Sequence, residues 1–186
     1  MPTAISPALE QEHDGRVTSA GFASEEHFRA FYDRTAKALH GYLRRVLQDA
    51  SRADDLLQEA YLRLMRADLA ADADFLHRKN YLFRVAANLI HDHYRAAKHE
   101  VELPVDLAAA GAFDREADLG REVHAALDAV SARDRQLLWL AYVERFSHRE
   151  IAGMTALKEQ SIRPMLLRAR HRVAAELRER GLGRED

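Results

Sequence analysis

Three groups of residues in this 186-residue chain have the types and spacing to do chemistry. The first is basic: Gln160, Ser161 and Arg163, then Arg168, Arg170 and Arg172. Along one helix, such residues present donors to base edges near its start and to phosphates further on. The second mixes aromatic and basic side chains: Phe75, His77, Arg78, Lys79, Asn80, Tyr81, Arg84, Asn88, Arg95 and Lys98. Aromatics interleaved with cations can hold unstacked bases and the backbone beside them; they can equally make a solvated helix end. The third is acidic: Asp54, Asp55, Gln58 and Glu59. By spacing alone it reads as capping plus a solvated face, since exposed charges usually contribute little.

A fourth pattern, His91-Asp92, spells the core pair of a metal phosphohydrolase site. Helical geometry rejects it. His91 and His93 would point about 200° apart on a helix. One turn before His91 stand Ala87 and Asn88 rather than a second histidine. The chain has no cysteine, which excludes disulfides, zinc-thiolate sites and thiol catalysis. No catalytic residue, metal or cofactor is expected.

The basic group needs a helix, and the sequence supplies two. Ser147 and Glu150 form a capping box for a short helix, Ser147 to Gly153. A second helix follows, runs to about Arg180 and stops at Gly181 and Gly183. Together they outline a helix-turn-helix. Pro164 lacks an N–H, so the second helix is expected to start late, with Ser161 as N-cap, or to kink at Pro164. Val123, Leu127 and Val130 make a short amphipathic run upstream. Ser131 caps the next helix, and Leu137, Leu138, Leu140, Val143 and Phe146 supply core. Trp139, the only tryptophan, reads as a core anchor.

The other two groups also need helices. Ser24 is the expected N-cap of the first, whose apolar face runs from Phe28 through Phe31, Leu39, Tyr42 and Leu43 to Leu47. Ser51 with Asp54 resembles a capping box for the second, which buries Leu56, Leu57, Ala60, Tyr61 and Leu64. The pattern breaks between Ala67 and Asn80, then resumes with Tyr81, Leu82, Val85, Ala86, Leu89 and Ile90. Residues 1–22 lack periodicity and read as a flexible tail. Residues 100–120 carry Pro104, Gly111 and an acidic excess, and read as a linker. The net charge of -2 argues against a freestanding DNA binder, yet an acidic connector beside a basic helix fits two modules with different jobs. The expected fold is all-α, with small helical domains at 23–99 and 121–182. No apolar run has signal-peptide or membrane-spanning length, so a cytoplasmic protein without direct membrane insertion is expected.

Two separated stretches resemble one family, the bacterial extracytoplasmic function (ECF, group 4) sigma factors. One is Asp54-Asp55-Leu56-Leu57-Gln58-Glu59-Ala60-Tyr61-Leu62-Arg63-Leu64, with Tyr81, Arg84, Asn88, Asp92 and Arg95 spaced as in the family's next helix. The other is Leu127, Arg133 and Arg135, then Glu150-Ile151-Ala152, Ser161-Ile162-Arg163 and Arg168-Ala169-Arg170. The resemblance covers roughly residues 23–182. It implies a sigma-2-like and a sigma-4-like domain that bind core RNA polymerase and promoter DNA. By it, Asp54, Asp55, Gln58 and Glu59 would dock on polymerase. Phe75, His77, Asn80, Arg84, Asn88, Arg95 and Lys98 would meet the -10 element, with Phe75, His77 and Asn80 as candidates to hold an unstacked base. Gln160, Ser161, Arg163, Arg168 and Arg170 would meet the -35 element. Family members are commonly held inactive by an anti-sigma factor, which is the further partner implied.

Three positions depart from the family. Ala156 stands where the helix-turn-helix turn usually has Gly, so another turn geometry is expected. Pro164-Met165 replaces a Ser-Arg pair. Ala87 replaces an Arg, so a phosphate contact is expected to be missing. Two other readings stay open at this point: a helix-turn-helix regulator acting without polymerase, and a sigma-like interaction protein with altered DNA reading.

Overall fold

The computed structural model describes residues 22, 24–70, 72–100 and 118–182, the side chains of 98–100 and 118–121 excepted. Nearly all of the expected tail and linker, and the side chain of Lys98, lie outside the described residues. Seven α-helices and no strand occur among the described residues.

The first group is α1 (Glu25–Leu47), α2 (Ala50–Arg66) and α3 (Phe75–Glu100). Ser24 caps α1 as expected, accepting from His27 N–H. The N-cap of α2 differs from expectation: Asp49 accepts from Arg52 N–H, and Ser51 lies inside the first turn. Asp49 stands two residues before Ser51 and caps Arg52 N–H, so the helix begins earlier; Asp54 pairs with His40 at 2.7 Å. The break after α2 is also shorter than the sequence suggested. Asp74 accepts from His77 N–H at 2.7 Å, and that contact starts α3 at Phe75, six residues before the apolar period resumes. Phe75, His77 and Asn80 are therefore helical. Phe22 also joins this group, its ring 5.3 Å from Phe28 and 5.4 Å from Phe31.

The second group is α4 (Asp118–Ala129), α5 (Ala132–Leu138), α6 (His148–Thr155) and α7 (Glu159–Glu179). Ser131 caps α5 by accepting from Asp134 N–H. The chain leaves α5 through a widened turn, Trp139–Val143, in which Glu144 N–H reaches back five residues to Trp139. The extra residue turns Leu140 inward and leaves Tyr142 and Val143 more than half exposed. Arg172 of α7 pairs at 2.7 Å with Asp134, which is buried, so this arginine serves the packing of α7 on α5.

The helix-turn-helix corrects two expectations. Ala156 keeps the left-handed geometry that Gly would favour, with φ 53° and ψ 30°. Helix α7 does not start late: Lys158 is the N-cap, without a side-chain bond, and Pro164 is the sixth helical residue. The helix runs through it because the proline removes only the bond to the C=O of Gln160, an exposed residue. The left-handed conformation costs an L-residue about 1–2 kcal/mol. Ala156→Gly is thus expected to raise unfolding stability by about 1 kcal/mol, after the entropic cost of Gly in the unfolded chain. Thermal denaturation of both forms checks this; an unchanged or lower Tm would contradict a strained turn.

The two groups pack on each other, α1 against α5 and α3 against α6, and their apolar residues form one continuous core.

Candidate polymerase and nucleic-acid interfaces

The acidic candidates sit on the outer face of α2. Its inner face buries Ala53, Leu56, Ala60, Tyr61 and Leu64, which fixes the phase of the helix. Asp54, Asp55 and Gln58 are exposed, and Glu59 is half-buried. Each charged member has a light local partner: His40 for Asp54, Arg52 at 3.9 Å for Asp55, and Arg63 at 2.7 Å for Glu59. Leu62, 44% exposed, continues the row set by Asp55, Gln58 and Glu59. The sequence reading missed it. The signal was available, because Leu62 is out of phase with the buried leucines of its helix.

The aromatic-basic candidates divide into two clusters. His77, Asn80, Tyr81 and Arg84 line a cleft of about 190 Å³ whose other wall is Glu150, Gly153 and Met154 of α6. Asn88 and Arg95 continue the same exposed face of α3, with Arg95 paired to Asp92 at 2.9 Å. Phe75 is elsewhere. Its ring packs 5.5 Å from Phe31, and the Arg34 guanidinium lies 3.8 Å from its centroid. With Phe22, His27 and Arg78 it lines a separate cavity of about 330 Å³. Ala87 is buried, so its position faces the core of the helix group and not the exposed row of Arg84 and Asn88.

Asn80 does not stand free. Its Nδ2 donates to Glu150 Oε1 at 2.8 Å. The other oxygen of Glu150 accepts from Ser147 N–H at 2.8 Å and Ser147 Oγ at 2.7 Å, while Glu150 N–H donates to Ser147 Oγ. The expected capping box is therefore complete. The Ser147 hydroxyl is the main cause that holds the Glu150 carboxyl below the usual range. Burial opposes it, and Ser147 N–H, Asn80 and Lys79 reinforce it.

The -35 candidates follow from the phase of α7. Ile162, Leu166 and Ala169 are buried, so Gln160, Arg163, Arg168 and Arg170 are exposed and Ser161 is half-buried. Arg163 and Arg170 share a groove of about 460 Å³ with Tyr142, His148 and Leu167. Gln160 and Arg168 lie in the adjacent row, two turns apart. Leu167, 53% exposed between these arginines, is a further residue the sequence reading missed. No group of three or more His, Asp or Glu able to hold a metal occurs among the described residues.

Comparison with known proteins matches both helix groups to one family. Residues 31–100 match sigma-70 region 2, and residues 120–173 match sigma-70 region 4. The chain is 29% identical over 182 residues to the ECF RNA polymerase sigma factor SigL of Mycobacterium tuberculosis, spanning 91% of this chain and 99% of that one. It is 27% identical over 161 residues to the ECF sigma factor SigM of Bacillus subtilis, spanning 83% and 96%. Its fold is similar to that of the sigma factor RpoE from Bartonella quintana, solved with the anti-sigma factor NepR. That likeness has a TM-score of 0.66 at 21% identity, over 81% of this chain and 96% of that one. The chain belongs to the sigma-70 family of RNA polymerase sigma factors, and within it to the extracytoplasmic function type. Sigma factors are non-enzymatic regulators of transcription initiation.

Proposed function

We propose that this sigma factor docks core polymerase through the outer face of α2 and reads promoters with α3 and α7. The observation that carries the reading is the α2 surface: charged, largely exposed, and extended at its C-terminal end by an exposed leucine while the helix's inner face is buried. Such a face suits a basic partner helix with an apolar spot. The -10 element falls to the row His77, Asn80, Arg84, Asn88 and Arg95, exposed except at the half-buried Asn80, together with Lys98. Phe75 keeps a candidate place beside the second cavity, where a ring flanked by a guanidinium could stack on a base. The -35 element falls to Gln160, Ser161 and Arg163 for base edges, and to Arg168 and Arg170 for phosphates. On this reading the sigma-2-like domain spans 23–99 and the sigma-4-like domain 121–182.

The chain needs no cofactor and performs no catalytic step. It works where polymerase and DNA are, in the cytoplasm. None of the described helices is long and apolar enough to cross a membrane. An anti-sigma factor is proposed as its regulator, on the precedent of RpoE with NepR.

Mixing the protein with core polymerase and a library of promoter fragments tests the reading. Promoter-dependent initiation supports it. Binding without initiation favours an interaction protein with altered DNA reading, and no binding to core sinks the sigma role. Within a responsive promoter, Arg163→Ala is expected to relax preference at one -35 position by about 1–3 kcal/mol. A uniform loss across all sequences would instead mark Arg163 as a phosphate contact.

A further inference from the structure

A further hollow, larger than the three described above, lies on the helix-turn-helix group. It holds about 660 Å³ between α4, α5, the widened turn and α7, with Arg45 of α1 in its wall. Small-molecule sites hold about 300–1,000 Å³. The walls are apolar: Leu127 of α4, Leu138 and Trp139, then Val173, Ala174 and Leu177 of α7. The widened turn shapes the rim. Its extra residue swings Tyr142 and Val143 away from the core, and both line the hollow while more than half exposed.

The ionisable groups in the lining have one sign. Arg45, His124, Arg135 and Arg170 contribute to it, and no carboxylate does. Arg45 is matched by Asp128 at 2.8 Å. Arg135 is met differently. It is 5% exposed and donates to backbone carbonyls, and its Nε is buried without an acceptor among the described residues. A buried cation held by neutral carbonyls leaves a positive field beside it, which apolar walls screen poorly. Arg170 is exposed and stands one turn before Val173 and Ala174 on the same face of α7.

Size, apolar walls and a uniformly basic lining together define the occupant: one hydrocarbon chain ending in a carboxylate. The chain fills the space between the leucines, and the carboxylate takes the fork of an arginine. An α-helix is the poorer occupant. Two turns, about 11 Å long and about 10 Å wide, fill about 850 Å³ and exceed the hollow.

We propose that this cavity binds a free single-chain fatty carboxylate, its tail between α4, α5 and α7 and its head on Arg170. Arg170 also belongs to the proposed -35 row, so the ligand and a promoter phosphate compete for one guanidinium. The competition rests on the sigma reading above; the binding does not.

Calorimetric titration of the full chain with decanoate, below its micelle-forming concentration, tests the site. Saturable binding with a negative heat-capacity change is expected, because apolar surface is covered. Arg170→Gln should weaken decanoate about ten-fold, as loss of one charge-assisted contact does, and leave decanol unaffected. Ala174→Phe, which places a ring in the cavity, should abolish binding of both, with circular dichroism confirming the helices. A decanoate carrying a diazirine on its tail should label segments 138–143 and 173–177 of the unaltered protein. No saturable binding overturns the proposal, and so does labelling elsewhere. Equal losses for decanoate and decanol in Arg170→Gln overturn the carboxylate assignment. Binding to phosphatidylglycerol vesicles but not to decanoate would show a membrane contact instead, and binding only to an acidic helical peptide would show a protein groove; either result overturns it. In promoter binding with core polymerase, saturating decanoate should weaken the wild-type complex and spare Arg170→Gln. An undiminished wild-type complex overturns the competition. If no promoter complex forms even without decanoate, the sigma reading falls, and the titration still decides the cavity.

Discussion

Asp55→Arg is expected to weaken binding to core RNA polymerase by at least about 100-fold, or about 2.7 kcal/mol, with the fold intact. The side chain is 64% exposed, and the partner it meets is Arg52 at 3.9 Å, so almost nothing internal is lost. Arg is the better helix former, and α2 keeps its buried face. At the proposed interface the change both removes an attraction and creates a like-charge contact, which is where several kcal/mol arise. Titration of core with labelled protein measures the affinity, and circular dichroism checks the helix content. Wild-type affinity with intact helices would remove Asp55 from the interface and leave the outer face of α2 as solvated surface.

The largest effect on stability is expected at Arg135, which is 5% exposed. Its Nη1 donates to three carbonyls at the end of α4: Val130 at 2.6 Å, Asp128 at 3.0 Å and Leu127 at 3.5 Å. Its Nη2 reaches Val46 C=O of α1 at 3.3 Å. Burial pushes the guanidinium below its ordinary pKa, with Tyr94 and Asp128 acting in the opposite sense. One side chain thus caps α4 and ties α5 to α1. Arg135→Ala leaves those α4 carbonyls without this donor and opens a cavity, so unfolding stability is expected to fall by about 3–5 kcal/mol. That is a large part of the roughly 5–15 kcal/mol a domain possesses. Arg135→Lys should recover only a fraction, because a single ammonium cannot fork across separate carbonyls. Urea unfolding of the three forms provides the measurement, and a loss under about 1 kcal/mol would show the carbonyls satisfied by water instead.

What the sequence disclosed was mostly local. Ser24, Ser131 and the Ser147–Glu150 box are short-range signals, each decided within one turn of helix. The same locality explains the misreadings. Ser51 reads as a cap by itself, but Asp49, two residues earlier, caps the helix at Arg52 N–H and draws Ser51 into its first turn. Pro164 looked like a boundary because its cost is intrinsic, whereas the burial of Ile162 and Leu166 on either side of it carries the helix through. Phe75 and His77 read as part of a loop because the apolar period alone does not reveal the Asp74 cap. The candidate sites were legible as residue types in order, but their grouping was not. Phe75 parted from His77 and Asn80 because positions two and five residues further along a helix face different neighbours. The pairing of Asn80 with Glu150 joins residues 70 apart, and no local rule anticipates it.

Trp139, expected as a core anchor, packs half-buried against the core where the two helix groups meet, beside Gly41 and with its Nε1 3.3 Å from Glu144. As the only tryptophan, it makes the chain its own optical probe. Its emission reports on one place, the line along which the two helix groups meet. Any ligand that parts them moves the indole from a packed, partly charged setting into water and shifts its colour. Polymerase, promoter strands and an anti-sigma factor can each be added to unlabelled protein and sorted, by that shift alone, into those that open the molecule and those that hold it shut.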